Sequence, residues 1–242
     1  MHKDTAATAV PANTPEPGTR RRARLHTRRR RARMMRCPRS PALAGPPMPA
    51  CTGATGYPMA LKSTVVRAEL QLSDMDRHYY ATHPLTLAQH PSETDERLLV
   101  RLLAFALYAH ERLEFGRGLS TDEDPDLWQR DYSGQVERWI EVGQPDESRI
   151  RKACGRAREV VVLNYGGRAA DLWWEKNATA LARHANLVVL DLPADQLQAL
   201  VALRAGGLRL TVMIQDGEVR LLQADGSETV LQPVTRMGAQ AA

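Results

Sequence analysis

The run Glu159 to Leu163 (EVVVL) is apolar at four consecutive positions, and Asn186 to Leu192 (NLVVLDL) is nearly so. A strand with one wet face alternates apolar and polar residues. A strand without that alternation has both faces covered, as in the parallel centre of a helix-flanked sheet. The flanking segments carry helical spacing. Pro145-Asp146 opens a helix with Ile150, Ala153, Cys154 and Ala157 on one face. Gly166-Gly167 turns into a helix over 168–184, and another follows over 194–204. Helices alternating with covered strands point to an α/β fold.

The rest of the chain adds strands and one long helix. Thr64, Val66, Ala68, Leu70 and Leu72 alternate with a second set, a period of two that predicts a half-buried strand. Arg77 to Leu87 reads as a second extended piece, with Pro84 in or near a turn. Ser92 is a suitable N-cap, with Asp95 at the third helical position. The leucines from Leu98 to Leu107 then predict an amphipathic helix over 92–114. Residues 116–125 read as loop, 126–132 and 135–142 as short strands, and 208–214 with 218–222 as a hairpin around Asp216-Gly217. The whole reads as a single α/β domain with a mixed sheet flanked by helices, without internal repeats.

The 242 residues have room for one ordinary domain. The net charge of +5 is unevenly divided. Residues 1–58 hold 12 basic against 2 acidic residues and nine of the 15 prolines, whereas 59–242 hold 21 basic against 26 acidic, a net −5. The overall basic balance is therefore no argument that the body binds nucleic acid. The leader 1–58 lacks apolar periodicity and is expected to be disordered. Its runs Arg20 to Arg24 and Arg28 to Arg31 suit a basic arm, but the regular pattern beginning at Met59 suggests that translation starts there. No stretch approaches 18 uninterrupted apolar residues, so a membrane-spanning helix is not expected. With Cys37 and Cys51 in the leader, Cys154 stands alone in the body, as in a reducing cytoplasm.

One constellation has the residue types for chemistry. Pro125-Asp126 begins one short strand, and Glu141 lies near the end of the next after 14 intervening residues. Glu96 lies in the first long helix, Gln144 follows Glu141 by three, and Lys152 is on the next helix. Oxygen ligands of this kind suit Mg²⁺ or Mn²⁺, which would polarise a phosphodiester and lower the pKa of a bound water. The order helix, strands, helix, strand with a PD and a following Glu resembles the PD-(D/E)XK nuclease superfamily. That resemblance implies Asp126 and Glu141 as metal ligands, Glu96 assisting, and a lysine beside the attacking water. The expected Asp/Glu-X-Lys is replaced by Glu141-Val142-Gly143. Gln144 joins such a site if the backbone bulges at Gly143, and Lys152 is the candidate for a migrated lysine.

Four strings carry a closer resemblance: DMDRHYYATHPLTLAQHPSETDERLLVRLLAFALYA, GLSTDEDPDLWQRD, WIEVGQPDESRIRKACGRAREVVV and YGGRAADLWW. They are similar to the bacterial YaeQ family from Met59 to about residue 235. The resemblance implies a compact variant of the PD-(D/E)XK fold and assigns no substrate.

Other features have simpler readings. Glu93 and Asp95 suit the acidic first turn of a helix. Trp173-Trp174 reads as one core anchor beside a half-buried neighbour rather than a base-stacking pair. Tyr165-Gly166-Gly167-Arg168 reads as a strand-to-helix turn and only weakly as a phosphate site. His78, His83, His90 and Cys154 lack metal-ligand spacing, and Cys154 is expected to be buried and inert. Arg149, Arg151, Lys152, Arg156 and Arg158 cluster beside the carboxylates, where a phosphodiester substrate would need positive charge. The expectation is a divalent-metal-dependent nuclease or phosphodiesterase, alternatively a catalytically silent nuclease-fold protein that binds nucleic acid or a protein partner.

Overall fold

In the computed structural model, residues 63–116 and 124–238 are described, so the expectations for 1–58 lie outside the described residues. The elements are β1 (Thr64–Asp74), β2 (Tyr79–Gln89), α1 (Asp95–Leu107), β3 (Leu113–Phe115), β4 (Leu127–Arg130), β5 (Val136–Val142), α2 (Glu147–Cys154), β6 (Ala157–Tyr165), α3 (Arg168–Leu181), β7 (Leu187–Leu192), α4 (Ala194–Ala202), β8 (Arg209–Gln215), β9 (Glu218–Gln223), β10 (Glu228–Leu231) and β11 (Val234–Met237). A single 3₁₀ turn, Leu203–Gly206, follows α4.

The expectation of one mixed sheet is corrected: the described residues form two, both mixed. The first has the order β10-β9-β8-β1-β2, and the second β11-β7-β6-β5-β4-β3. In the first, β1 runs antiparallel to β2 and parallel to β8. In the second, β5, β6 and β7 are mutually parallel and carry antiparallel strands on both sides. The two apolar runs identified from sequence are β6 and β7, and β5 is the short strand expected over 135–142.

Two clusters of buried side chains define four layers. The larger joins Leu70, Leu72, Val212 and Leu221 of the first sheet to α1, α4 and one face of the second sheet, including Ile140, Val161 and Leu163. The smaller joins the opposite face, Trp139, Val160, Val162 and Val189, to Ile150 and Ala153 of α2 and Leu181 of α3. The order is sheet, α1 with α4, sheet, α2 with α3. The outer face of the first sheet is wet, which is why β1 alternates, with Arg67, Glu69 and Gln71 exposed between buried Val66, Ala68, Leu70 and Leu72.

α1 is shorter and more enclosed than the sequence suggests. Its N-cap is Thr94, not Ser92: Thr94 Oγ1 accepts the Arg97 N–H at 3.2 Å, and the Ser92 N–H donates to His90 Nδ1. All nine residues from Leu98 to Ala106 are buried, so it is no one-sided amphipathic helix. It ends at Leu107, and Leu113–Phe115 leaves the helical path to form edge strand β3. α2 also stops earlier than expected, at Cys154, and Ala157 begins β6 instead of lying on the helix. In the hairpin β8–β9, Asp216 (φ 53°) and Gly217 (φ 74°) both occupy the left-handed region, as a two-residue type I′ turn demands.

Candidate functional site: a carboxylate pair held by arginines

The site forms where β4 begins and β5 ends. The Asp126 N–H donates to the Ile140 carbonyl at 3.1 Å, which brings Asp126 beside the end of β5. The approach is tight on its other side too. The Gly116 N–H donates to the Asp126 carbonyl at 2.8 Å, and a Cβ at Gly116 would collide with the Pro125 carbonyl oxygen, so only glycine fits there. Asp126 and Glu141 are each 3% exposed.

Both carboxylates already have cationic partners. Asp126 Oδ1 accepts from Arg97 Nη1 and Nη2 at 3.0 and 2.8 Å, and Asp126 Oδ2 accepts the Val142 N–H at 2.8 Å. Glu141 Oε1 accepts from the Trp139 indole at 2.7 Å and from Arg149 Nε at 2.8 Å. A third pair stands behind them: Arg101 Nη1 donates to both oxygens of Glu93, at 2.8 and 3.0 Å, and Arg101 Nε lies 4.0 Å from Asp126 Oδ1. Three carboxylates and three guanidinia thus balance one another.

Burial pushes the Asp126 carboxyl up, and Arg97 with the Val142 N–H pulls it back down. Burial likewise pushes Glu141 up; Arg149 and the Trp139 indole oppose this, and the Asp126 charge adds to the rise. Burial also raises the Tyr165 phenol, which feels the charges of Arg97, Glu96 and Asp126.

The other three anticipated residues lie differently. Glu96 is exposed in the first turn of α1, and the buried acidic residue at that end is Glu93. Gly143 (φ 96°) ends β5 and turns the chain so that Gln144 Nε2 donates to Asn164 Oδ1 and the Tyr165 carbonyl, both at 2.5 Å. Gln144 therefore braces the end of β6. Lys152 is exposed on α2, and Arg149, one turn earlier, reaches Glu141 instead. Arg97, Arg101 and Arg149 were not singled out as partners of the carboxylates. One signal was available: Arg101 has apolar residues on both sides in LLVRLLAF.

Among the described residues, no group of three or more His, Cys, Asp or Glu is arranged to hold a metal ion. Mg²⁺ needs accessible carboxylate oxygens in a near-octahedral shell. In this arrangement arginines and N–H groups have taken up Asp126 and one oxygen of Glu141, so the donor set does not fit the ion. Elsewhere, burial pushes the Cys154 thiol up to about 11. Trp173 and Trp174 are both half-buried against the α2–α3 core, and the Trp173 indole donates to the Pro145 carbonyl at 2.9 Å. No helix among the described residues is long and apolar enough to cross a membrane.

The fold and site define a two-sheet, four-helix α/β protein with an arginine-neutralised carboxylate pair at a strand end. The sequence matches the family model of the YaeQ protein over residues 59–232, and the chain belongs to that family. It is 45% identical over 163 residues to the uncharacterized protein YaeQ of Escherichia coli, covering 67% of this chain and 90% of that one. Its identity to the uncharacterized protein YaeQ of Salmonella typhi is 44% over 166 residues, covering 69% and 92%. Among solved structures, the YaeQ protein from Xanthomonas axonopodis pv. citri is 60% identical, with a TM-score of 0.69 over 74% of this chain and 99% of that one. The YaeQ protein from Pseudomonas syringae is 36% identical, with a TM-score of 0.68 over 73% and 97%.

Proposed function

We propose that this chain is a PD-(D/E)XK-type protein that holds nucleic acid without hydrolysing it. The observation behind the absence of hydrolysis is the pairing of Asp126 with Arg97 and of Glu141 with Arg149. A guanidinium is always charged and compensates a buried carboxylate in the way a cation would. Admitting Mg²⁺ would mean displacing two charge-assisted contacts at 2.8 Å, each about twice as strong as a neutral hydrogen bond. Nucleic acid as the ligand rests on the resemblance to the nuclease superfamily and on local cations, since the body as a whole is acidic.

The test is incubation of the full chain with labelled single- and double-stranded DNA and RNA in Mg²⁺ and Mn²⁺, beside Glu141→Ala prepared identically. The expected result is salt-dependent retention by both proteins with equal, background cleavage. Cleavage by the wild type that disappears in Glu141→Ala would overturn the silent reading. It would instead assign Asp126 and Glu141 as metal ligands, with Glu96 assisting and Gln144 or Lys152 placing the water.

A further inference from the structure

At the far end of the β4–β5 hairpin, about 15 Å along the strand from Asp126, the second sheet carries a surface that the carboxylate site does not use. Trp128 and Arg130 lie two residues apart on one face of β4, and the Arg130 guanidinium sits 3.5 Å from the centre of the Trp128 ring. Tyr132 follows at the hairpin tip and is 97% exposed. The Arg112 guanidinium covers one side of its ring at 4.9 Å, and Arg112 Nη1 also donates to the Arg130 carbonyl. Two cation–aromatic pairs thus lie side by side, Arg130 on Trp128 and Arg112 on Tyr132, linked through the Arg130 main-chain carbonyl.

The tip is rigid. Asp131 Oδ1 accepts from the Ser133 N–H at 2.8 Å, the Ser133 hydroxyl at 2.6 Å and the Gln135 N–H at 2.9 Å. The exposed ring thus stands on a fixed backbone, so ordering it on a ligand has little entropic cost. A large aromatic held in water gains nothing for the fold. Cation content decides what it suits. Arg130 has no ion pair among the described residues, whereas Arg112 is paired with Glu137 at 2.9 Å and Arg158 lies 3.9 Å from Asp131 and 4.0 Å from Glu137. Flat aromatic and guanidinium surfaces that include one arginine without a carboxylate partner, Arg130, match the bases and phosphates of an unpaired strand. They do not match a duplex, whose bases are already stacked.

We propose that Trp128, Arg130 and Tyr132 form a stacking platform for single-stranded nucleic acid, with Tyr132 receiving a base on its open face and Arg130 meeting phosphate or base. This rests on the nucleic-acid reading above and locates it away from the carboxylates. The experiment is fluorescence anisotropy of labelled oligothymidylate and oligouridylate of about 12 nucleotides with the full chain, its Tyr132→Ala, Tyr132→Phe and Arg130→Ala variants. Titrations at low salt and at about 0.3 M salt separate stacking from the charge attraction of the basic residues in 1–58. The expected result is an affinity about tenfold weaker in Tyr132→Ala at both salt concentrations, retained in Tyr132→Phe, and weakened in Arg130→Ala. Binding that is equal in all four proteins would overturn the platform and leave the nucleic-acid reading intact. No binding by the wild type would overturn both and turn the exposed tyrosine over to a protein contact. Tyr132 makes no buried contact, so its substitution leaves the fold unchanged, which circular dichroism checks.

Discussion

Arg101 is 1% exposed inside α1, and Glu93 beside it is as thoroughly enclosed. Such a pair is weak as a source of stability and costly to break, because removing one member strands the other charge in an apolar surround. Glu93→Ala is therefore expected to cost about 3–5 kcal/mol, read by urea denaturation. The double replacement Glu93→Leu with Arg101→Met is expected to fall within about 1 kcal/mol of the wild type or above it. Among the described residues Arg101 Nε has no hydrogen-bond partner, which is a further reason for apolar replacement to be tolerated. A double variant as damaged as the single one would show that Arg101 works chiefly on Asp126. The sequence made the neighbourhood of Asp126 and Glu141 legible, since a hairpin brings its two strands together locally. It did not reveal which arginines serve them. Charges on an exposed helix face and charges turned inward share the same spacing, and only the packing of α1 and α2 on the sheet separates Arg97 and Arg149 from Glu96 and Lys152.

At the scale of elements, strands and helices with strong periodicity were legible and the short edge pieces were not. β1, the β8–β9 hairpin and the covered strands β6 and β7 follow directly from period and turn chemistry. β3 has three residues and β10 and β11 four each, too few to show a period against the background of loops. α1 was read as amphipathic because its leucines recur at helical spacing, but the run LLVRLLAFAL is apolar almost all round, and a helix of that kind belongs between two layers. β2, the longest edge, pairs only with β1 and carries Pro84 mid-strand instead of in a turn. A proline there cannot donate to an incoming strand and so discourages sheet extension. Pro84→Thr restores the donor, and concentration-dependent association is the expected outcome. Sedimentation velocity of the two proteins across a tenfold concentration range would decide it, and identical profiles would place the protection elsewhere along β2.

For the molecule as a whole, the decisive contact is β1 against β8, with Glu69 opposite Arg209 and Asp74 opposite Ile214. No local pattern announces a neighbour so far along the chain, which is why the sequence suggested one sheet. Asp76 fastens the same two regions. Its carboxylate oxygens accept the main-chain N–H groups of Asp216 and Gly217 at 2.8 and 3.0 Å. Those two donors hold the Asp76 carboxyl below its usual range. A native value below the unfolded one, about 3.9, stabilises fully at pH above that unfolded value. The gain is lost as pH falls through the native value. The difference in Tm between wild type and Asp76→Ala should therefore be largest near neutral pH and shrink below about pH 4. A pH-independent difference in calorimetry would point to turn geometry alone. The same long-range pairing sets an order on synthesis. While the ribosome adds residues at about 5–20 per second, the β1–β2 hairpin and α1 emerge well before β8 and β9, the strands that cover α1 from one side. For nearly half of the 242 residues the helix with the longest buried run waits without its wall, so the interval before Arg209 to Gln223 appear is when a nascent chain of this family most needs a chaperone's shelter.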